Sequence, residues 1–99
     1  MVESLTKGQV SEALKGLAGW RHEGGNLKRE FKFGSFKEAL SFIVRVGLSA
    51  EEQGHHPEIF NVYDRVELSL STHEAGGVVT ERDVALARAI NAFAWVGPD

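Results

Sequence analysis

The stretch "WRHEGGNLKREFKF", Trp20 to Phe33, decides the fold. In its second half Leu27, Arg29, Phe31 and Phe33 alternate with Lys28, Glu30 and Lys32. A period of two is what a strand shows when one face is buried and the other solvated. Arg29 is the one charged residue on the apolar side. Gly24, Gly25 and Asn26 supply a turn, so a short strand from Trp20 folds back as a hairpin. A hairpin with one apolar face needs a cover, and the flanking sequence supplies helices.

Upstream, Thr6 and Gln9 form a capping box. Val10, Ala13, Leu14 and Leu17 then recur at helical spacing, and Gly19 is placed to stop that helix. Downstream, Ser35 and Glu38 repeat the capping-box pattern, and Phe36, Ala39, Leu40, Ile43 and Gly47 share one helical face flanked by Val44 and Val46. This second helix is expected to fade between Gly47 and Ser49, leaving "SAEEQGHHP" as a polar connection. A second hairpin follows: "IFNVY", a turn at Asp64-Arg65, then Val66, Leu68, Leu70 and Thr72 alternating with Glu67, Ser69 and Ser71. "HEAGGVV" reads as loop. Thr80 with Asp83 then caps a last helix, whose stripe is Leu86, Ile90 and Phe93 with Ala87 and Ala94 beside it; Pro98 ends the pattern. The order is α-ββ-α-ββ-α. It predicts an α+β fold in two layers, a four-stranded antiparallel sheet with three helices on one face, in a single domain over residues 1–99.

Composition narrows the function. With 11 Lys+Arg against 14 Asp+Glu the net charge is -3, which gives no footprint for nucleic acid or an anionic membrane. The absence of cysteine removes disulfides, thiolate metal sites and thiol catalysis. No apolar run approaches the roughly 18 residues of a membrane span, and "MVESLTKGQV" lacks signal-peptide features, so the cytoplasm is expected. A thin core and exposed sheet edges favour oligomerisation.

Three of the four histidines fall between Glu51 and Gly77, as His55, His56 and His73; His22 reads as a solvated surface residue. A metal site is disfavoured by spacing. Neighbouring residues in extended chain point to opposite faces, and Pro57 biases His56 toward extended geometry. Imidazole is roughly a quarter protonated at neutral pH, so several together can hold an acid and a base at once. Glu51, four residues before His55, is placed to orient a ring or favour its charged form. Solvated imidazoles and acid/base chemistry both remain open on spacing alone.

The stretch "EEQGHHPEIFNVYDRVELSLSTHEAGGVVTERD" resembles the signature of the pterin-4a-carbinolamine dehydratases. The matching positions are Glu51, His55, His56, Pro57, Asn61, Val62, Tyr63, Thr72, His73 and Asp83, with "LKREFKF" and Phe36 similar upstream; the resemblance runs from about Leu5 to Phe93. It implies dehydration of 4a-hydroxytetrahydropterin to quinonoid dihydropterin, in recycling the tetrahydrobiopterin spent by an aromatic amino acid hydroxylase. It implies His55 and His73 as acids on the leaving hydroxyl, His56 as pterin holder and base, and Glu51 as orienting residue. Pro57, Ser71 and Thr72 join His56 and His73 in binding the substrate, with the backbone at Ser71-Thr72 meeting the pterin's amide edge. No metal and no separate cofactor are implied. The resemblance extends to a second role, a non-catalytic dimerisation cofactor for a transcription factor. Two departures stand out. Ile59 replaces the Trp that family members often carry, removing an aromatic wall, and "GGVVT" is one residue longer than usual, which is expected to displace the last helix's start.

Overall fold

The computed structural model describes residues 3–97; Pro98, read above as the end of the last helical pattern, lies outside them. The elements run α1 (Lys7–Leu14), β1 (Arg21–Glu23), β2 (Asn26–Lys32), α2 (Phe36–Gln53), β3 (Glu58–Val62), β4 (Arg65–Leu70) and α3 (Glu81–Phe93), with one 3-10 turn at His73–Ala75. This is the expected α-ββ-α-ββ-α order. The four strands form one antiparallel sheet in the order β1-β2-β4-β3, with the helices packed on one face.

Register follows from the alternating pattern. Leu27 pairs with Leu70, Arg29 with Leu68 and Phe31 with Val66, so both central strands turn the same apolar set inward. A slip of one residue would send every one of these side chains to solvent. Val66, Leu68, Leu70 and Leu27 are fully buried, and Phe31 nearly so, against Phe42 and Val46 of α2 and Leu86 and Ile90 of α3. Phe31, Phe33 and Phe42 meet with centroids 4.6 to 6.3 Å apart, at separations where offset and edge-on aromatic contacts are favourable.

Several boundaries differ from the sequence reading, each for a local reason. α1 stops at Leu14, and Leu17 reaches the core from a following turn in which its N–H bonds Leu14 O at 3.0 Å. Gly24 and Gly25 alone make the first hairpin turn, with φ of 60° and 82°, and Asn26 already pairs with Glu23. In the second hairpin the turn is Tyr63-Asp64, because Val62 pairs with Arg65. Asn61 pins it by donating to the carbonyls of Tyr63 and Arg65 at 3.3 and 2.9 Å, which holds Tyr63 at φ 51°. Ser35 caps α2 by accepting from the Glu38 N–H, but the Glu38 carboxylate does not complete the box; it accepts from the Trp95 indole instead.

The larger correction concerns α2. It does not fade at Gly47 but continues through Ala50-Glu51-Glu52-Gln53, all good helix formers. Its stop is Gly54, at φ 62°, a left-handed position that glycine occupies without a Cβ penalty. The Gly54 N–H bonds Glu51 O at 3.2 Å and the His55 N–H bonds Ala50 O at 3.1 Å, the paired closure of a Schellman motif. The buried face also differs: Ala39, Phe42, Val46 and Ala50 point inward, while Phe36, Leu40, Val44 and Leu48 are exposed. α2 therefore has two apolar faces, and only one covers the sheet.

Because Gly54 both ends α2 and aims the chain into His55, Gly54→Ala is expected to cost about 1 kcal/mol. That corresponds to a Tm lower by roughly 4–8 °C in thermal unfolding of a domain this size. An unchanged Tm would contradict the left-handed assignment.

Candidate active site

His55 follows directly from the α2 cap, and the residue is 8% exposed. Its Nε2 lies 2.5 Å from Asp83 Oδ1. Asp83 is the third residue of α3 and is fully buried. The other oxygen, Oδ2, accepts from Thr72 Oγ1 and from the Thr80 N–H, each at 2.9 Å. A carboxylate serving as acceptor at both oxygens makes His55 the donor, through Nε2–H. The neutral ring then carries no proton on Nδ1, and Nδ1 has no hydrogen-bond partner among the described residues.

The threonines complete this network with fixed polarity. Thr72 has one hydroxyl proton, and Asp83 takes it, so at the 2.7 Å contact between the two hydroxyls Thr80 is the donor. Thr80 Oγ1 also accepts the Arg82 N–H at 3.2 Å, and Thr72 and Thr80 are both buried. The Thr80–Asp83 capping box read from sequence is present, and α3 begins at Glu81. The same carboxylate that caps α3 therefore holds His55. That second duty was not legible, since His55 and Asp83 are 28 residues apart with nothing periodic between them. The only sequence signal was Asp83's place in the resemblance.

His56 behaves differently from its neighbour. Its Nε2 is 2.8 Å from Glu51 Oε1 in the last turn of α2, and both side chains are well exposed. Glu51 was expected beside His55 from its spacing of four; the helix extension carries it to His56 instead. A pair this exposed contributes little stability, roughly 0–1 kcal/mol, so its effect is on ring orientation. His73 sits at the start of the 3-10 turn, exposed, with no side-chain hydrogen bond among the described residues.

These side chains meet at one hollow of about 150 Å³, lined by Gly54, His55, His56, Ser71, Thr72 and His73. All three histidines border it. Glu51 reaches it only through His56, and neither Pro57 nor Ile59 lines it. Thr72 has little left to offer a ligand: its hydroxyl is spent on Asp83, its N–H on Val78 O, and its carbonyl accepts from Ala75 and Gly77. Ser71 keeps a hydroxyl with no protein partner among the described residues. His22 lies on β1, outside this hollow. Among the described residues no three His, Asp or Glu side chains are grouped as a metal site, and no helix is long and apolar enough to cross a membrane.

Comparison with known proteins bears on this arrangement. The family described as Pterin 4 alpha carbinolamine dehydratase matches residues 3–93. A protein of Opitutus terrae, provisionally named a pterin-4-alpha-carbinolamine dehydratase, is 50% identical over 93 residues, covering 94% of this chain and 96% of its own. A relative from Paraburkholderia xenovorans with the same provisional name is 48% identical over 95 residues, covering 94% and 98%. The crystal structure of a transcriptional coactivator/pterin dehydratase from Brucella melitensis superposes with a TM-score of 0.85 at 43% identity, covering 90% of this chain and 96% of that one. A pterin dehydratase-like protein identified as a RuBisCO assembly factor in the alpha-carboxysome gives 0.67 at 27% identity, covering 83% and 96%.

Asp83→Ala leaves three buried donors unsatisfied, on His55, Thr72 and Thr80. It is expected to destabilise by on the order of 3–5 kcal/mol and to lower Tm by more than about 10 °C. Asp83→Asn keeps an acceptor and the shape, and should lose clearly less. Equal Tm values for wild type and Asp83→Ala would show that the network is not formed.

Proposed function

The chain belongs to the pterin 4 alpha carbinolamine dehydratase family, and on that premise we propose that it dehydrates 4a-hydroxytetrahydropterin to quinonoid dihydropterin by histidine acid/base catalysis without a metal or further cofactor. The observation that carries this reading is the trio of imidazoles around one hollow, with His55 anchored by a buried carboxylate.

The chemistry asks for two proton movements. The C4a–O bond breaks as the hydroxyl takes a proton and leaves as water, while N5 loses its proton and its electron pair forms the C4a=N5 bond. His55 and His73 are the donors to the leaving hydroxyl. For His55, the Asp83 contact occupies Nε2–H, so the proton is delivered from Nδ1 by the imidazolium form of the ring, which returns to the Nε2–H neutral tautomer. His56, oriented by Glu51, holds the pterin and receives the N5 proton. Ser71, with its uncommitted hydroxyl, meets the polar edge of the ring, and Thr72 supports the site through Asp83. Pro57 acts indirectly, by keeping His56 extended. Such positioned proton transfers typically contribute about a hundred- to ten-thousand-fold, which suits a substrate already prone to lose water. On the same reading the protein works in the cytoplasm as one domain, and an aromatic amino acid hydroxylase supplies its substrate.

His73→Ala removes a side chain that bonds no described residue, so it isolates chemistry from folding; a loss of roughly a hundredfold or more in dehydration rate is expected, with Tm unchanged. His55→Ala should show a comparable loss. Full activity in both variants, measured on purified carbinolamine, would sink the reading.

Self-association belongs to the proposal, as a homodimer or homotetramer. It is supported by the row Phe36, Leu40, Val44 and Leu48, spaced by four on the outer face of α2 and each 47–59% exposed. A row of this length along one helix is self-complementary in an antiparallel pair and matches the burial a small core lacks. Leu40→Glu with Leu48→Glu is expected to give a monomer in light scattering, against an oligomer for wild type. The same row favours one second reading, a non-catalytic interaction protein or transcriptional dimerisation cofactor. In that case the wild type would be monomeric and would capture a partner through α2 regardless of His55.

A further inference from the structure

At the opposite end of α3 from Asp83 lies a second polar feature that dehydration does not use. Arg29 sits on the inward face of β2 and is 3% exposed. Among the described residues no carboxylate pairs with it. Its polar contacts are Nη1–H to Asn91 Oδ1 at 2.5 Å and Nη2–H to the Val96 carbonyl at 3.2 Å; its guanidinium carbon also lies 4.2 Å from the Phe31 ring centre. Nε is buried and bonds no described residue. A guanidinium has five N–H donors, so most of this one's capacity is unspent. Burial alone accordingly pulls its pKa below the ordinary arginine value. An unpaired buried cation is among the more costly features a core can contain.

The surroundings are built to keep it there. Gly19, at φ 86°, abuts the guanidinium so closely that a Cβ would come within 2.6 Å of Nε. Asn91 is held in place from both sides, accepting from the Trp20 indole at 2.8 Å and donating to Ala18 O at 3.1 Å. Arg29 and Asn91 open onto a cavity of about 230 Å³ whose other walls are Ala18, Ala94, Trp95, Val96 and Gly97. Among the described residues no acidic side chain lines it. Trp95, half-exposed, forms one wall, packed on Phe33 and Phe42 and bound through its indole N–H to Glu38. The cavity is below the roughly 300 Å³ at which drug-sized pockets begin, so its occupant is small.

We propose that this cavity is a binding site for a small monocarboxylate with an apolar body, the carboxylate on the Arg29 guanidinium and the body against Ala94, Trp95 and Val96. Carboxylate geometry matches the planar guanidinium donor set. One cation and one neutral amide, Asn91, in a pocket with no other polar side chain among the described residues favour a singly charged organic anion over phosphate. The site is independent of the histidine hollow: Asn91 and Asp83 are eight residues apart on α3, about 12 Å of helix.

Benzoate is the test ligand, titrated into the full chain while the indole N–H signals of Trp20 and Trp95 and the Arg29 Nε–H signal are followed by NMR. Saturable shifts are expected with a Kd on the order of millimolar, the strength of one charge-assisted contact with a small apolar area. Benzamide, the neutral isostere, should bind at least tenfold more weakly. Arg29→Met should abolish the response, and Ala18→Leu, which narrows the cavity from an exposed position and keeps the guanidinium, should weaken it at least tenfold. The proposal is overturned by a linear response to benzoate, by equal binding of benzamide, or by equal binding of inorganic phosphate.

Discussion

The fold and the histidine site both depend on one buried carboxylate. Asp83 is fully inaccessible, and a bare carboxylate there would cost several kcal/mol in lost hydration. It is tolerated because three donors from three separate elements converge on it: the imidazole just past α2, the hydroxyl just past β4 and the N–H at the start of α3. Each contact satisfies a polar group that would otherwise be stranded at an element's end. Removing the carboxylate would therefore detach three chain segments at once, which is why the position cannot be treated as a helix cap alone.

The same convergence explains why two adjacent histidines have different environments. The Schellman closure at Gly54 turns the chain so that His55 folds under the end of α2 and meets Asp83, while His56 remains on the outer side beside Glu51. One ring is held by a buried carboxylate with its donor nitrogen fixed; the other is held loosely by an exposed one. Acid/base chemistry on a single substrate needs such a difference, because identical rings would compete for the same protonation state.

Much of the fold was readable because its signals are local. Alternation in β2 and β4 set the inward faces, and Thr6 with Gln9 and Thr80 with Asp83 set two helix starts. The reading failed where two local signals competed. Gly47 looked like a helix stop, yet it lies in the interior of α2 with open space beside it, and the true stop is Gly54. The face containing Leu40 looked like the core face because α2 is apolar on two sides, and periodicity cannot say which side meets the sheet. At the site, the histidines and Glu51 were visible as a cluster in sequence. Their assortment was not: whether Glu51 serves His55 or His56 depends on one more turn of helix, and Asp83 reaches His55 only through the tertiary fold.

α3 binds these observations together. Its first turn caps itself with the carboxylate that anchors His55, and its last turns present Asn91 to Arg29 and Trp20. Between them Leu86, Ala87 and Ile90 are fully buried, so the helix is fixed along its length by packing. A helix fixed in this way gives the buried charges beside its two ends little freedom to relax, and each must find its partners where the helix delivers them. At the Asp83 end three donors are delivered and the charge is well served. At the Arg29 end the helix delivers one amide oxygen, the chain after it adds one carbonyl, and the guanidinium is left with donors to spare. The contrast between a satisfied anion on α3 and a cation on β2 that finds few partners among the described residues distinguishes the second cavity from ordinary packing, since a core with no use for a charge at position 29 could be filled by an apolar side chain at little cost.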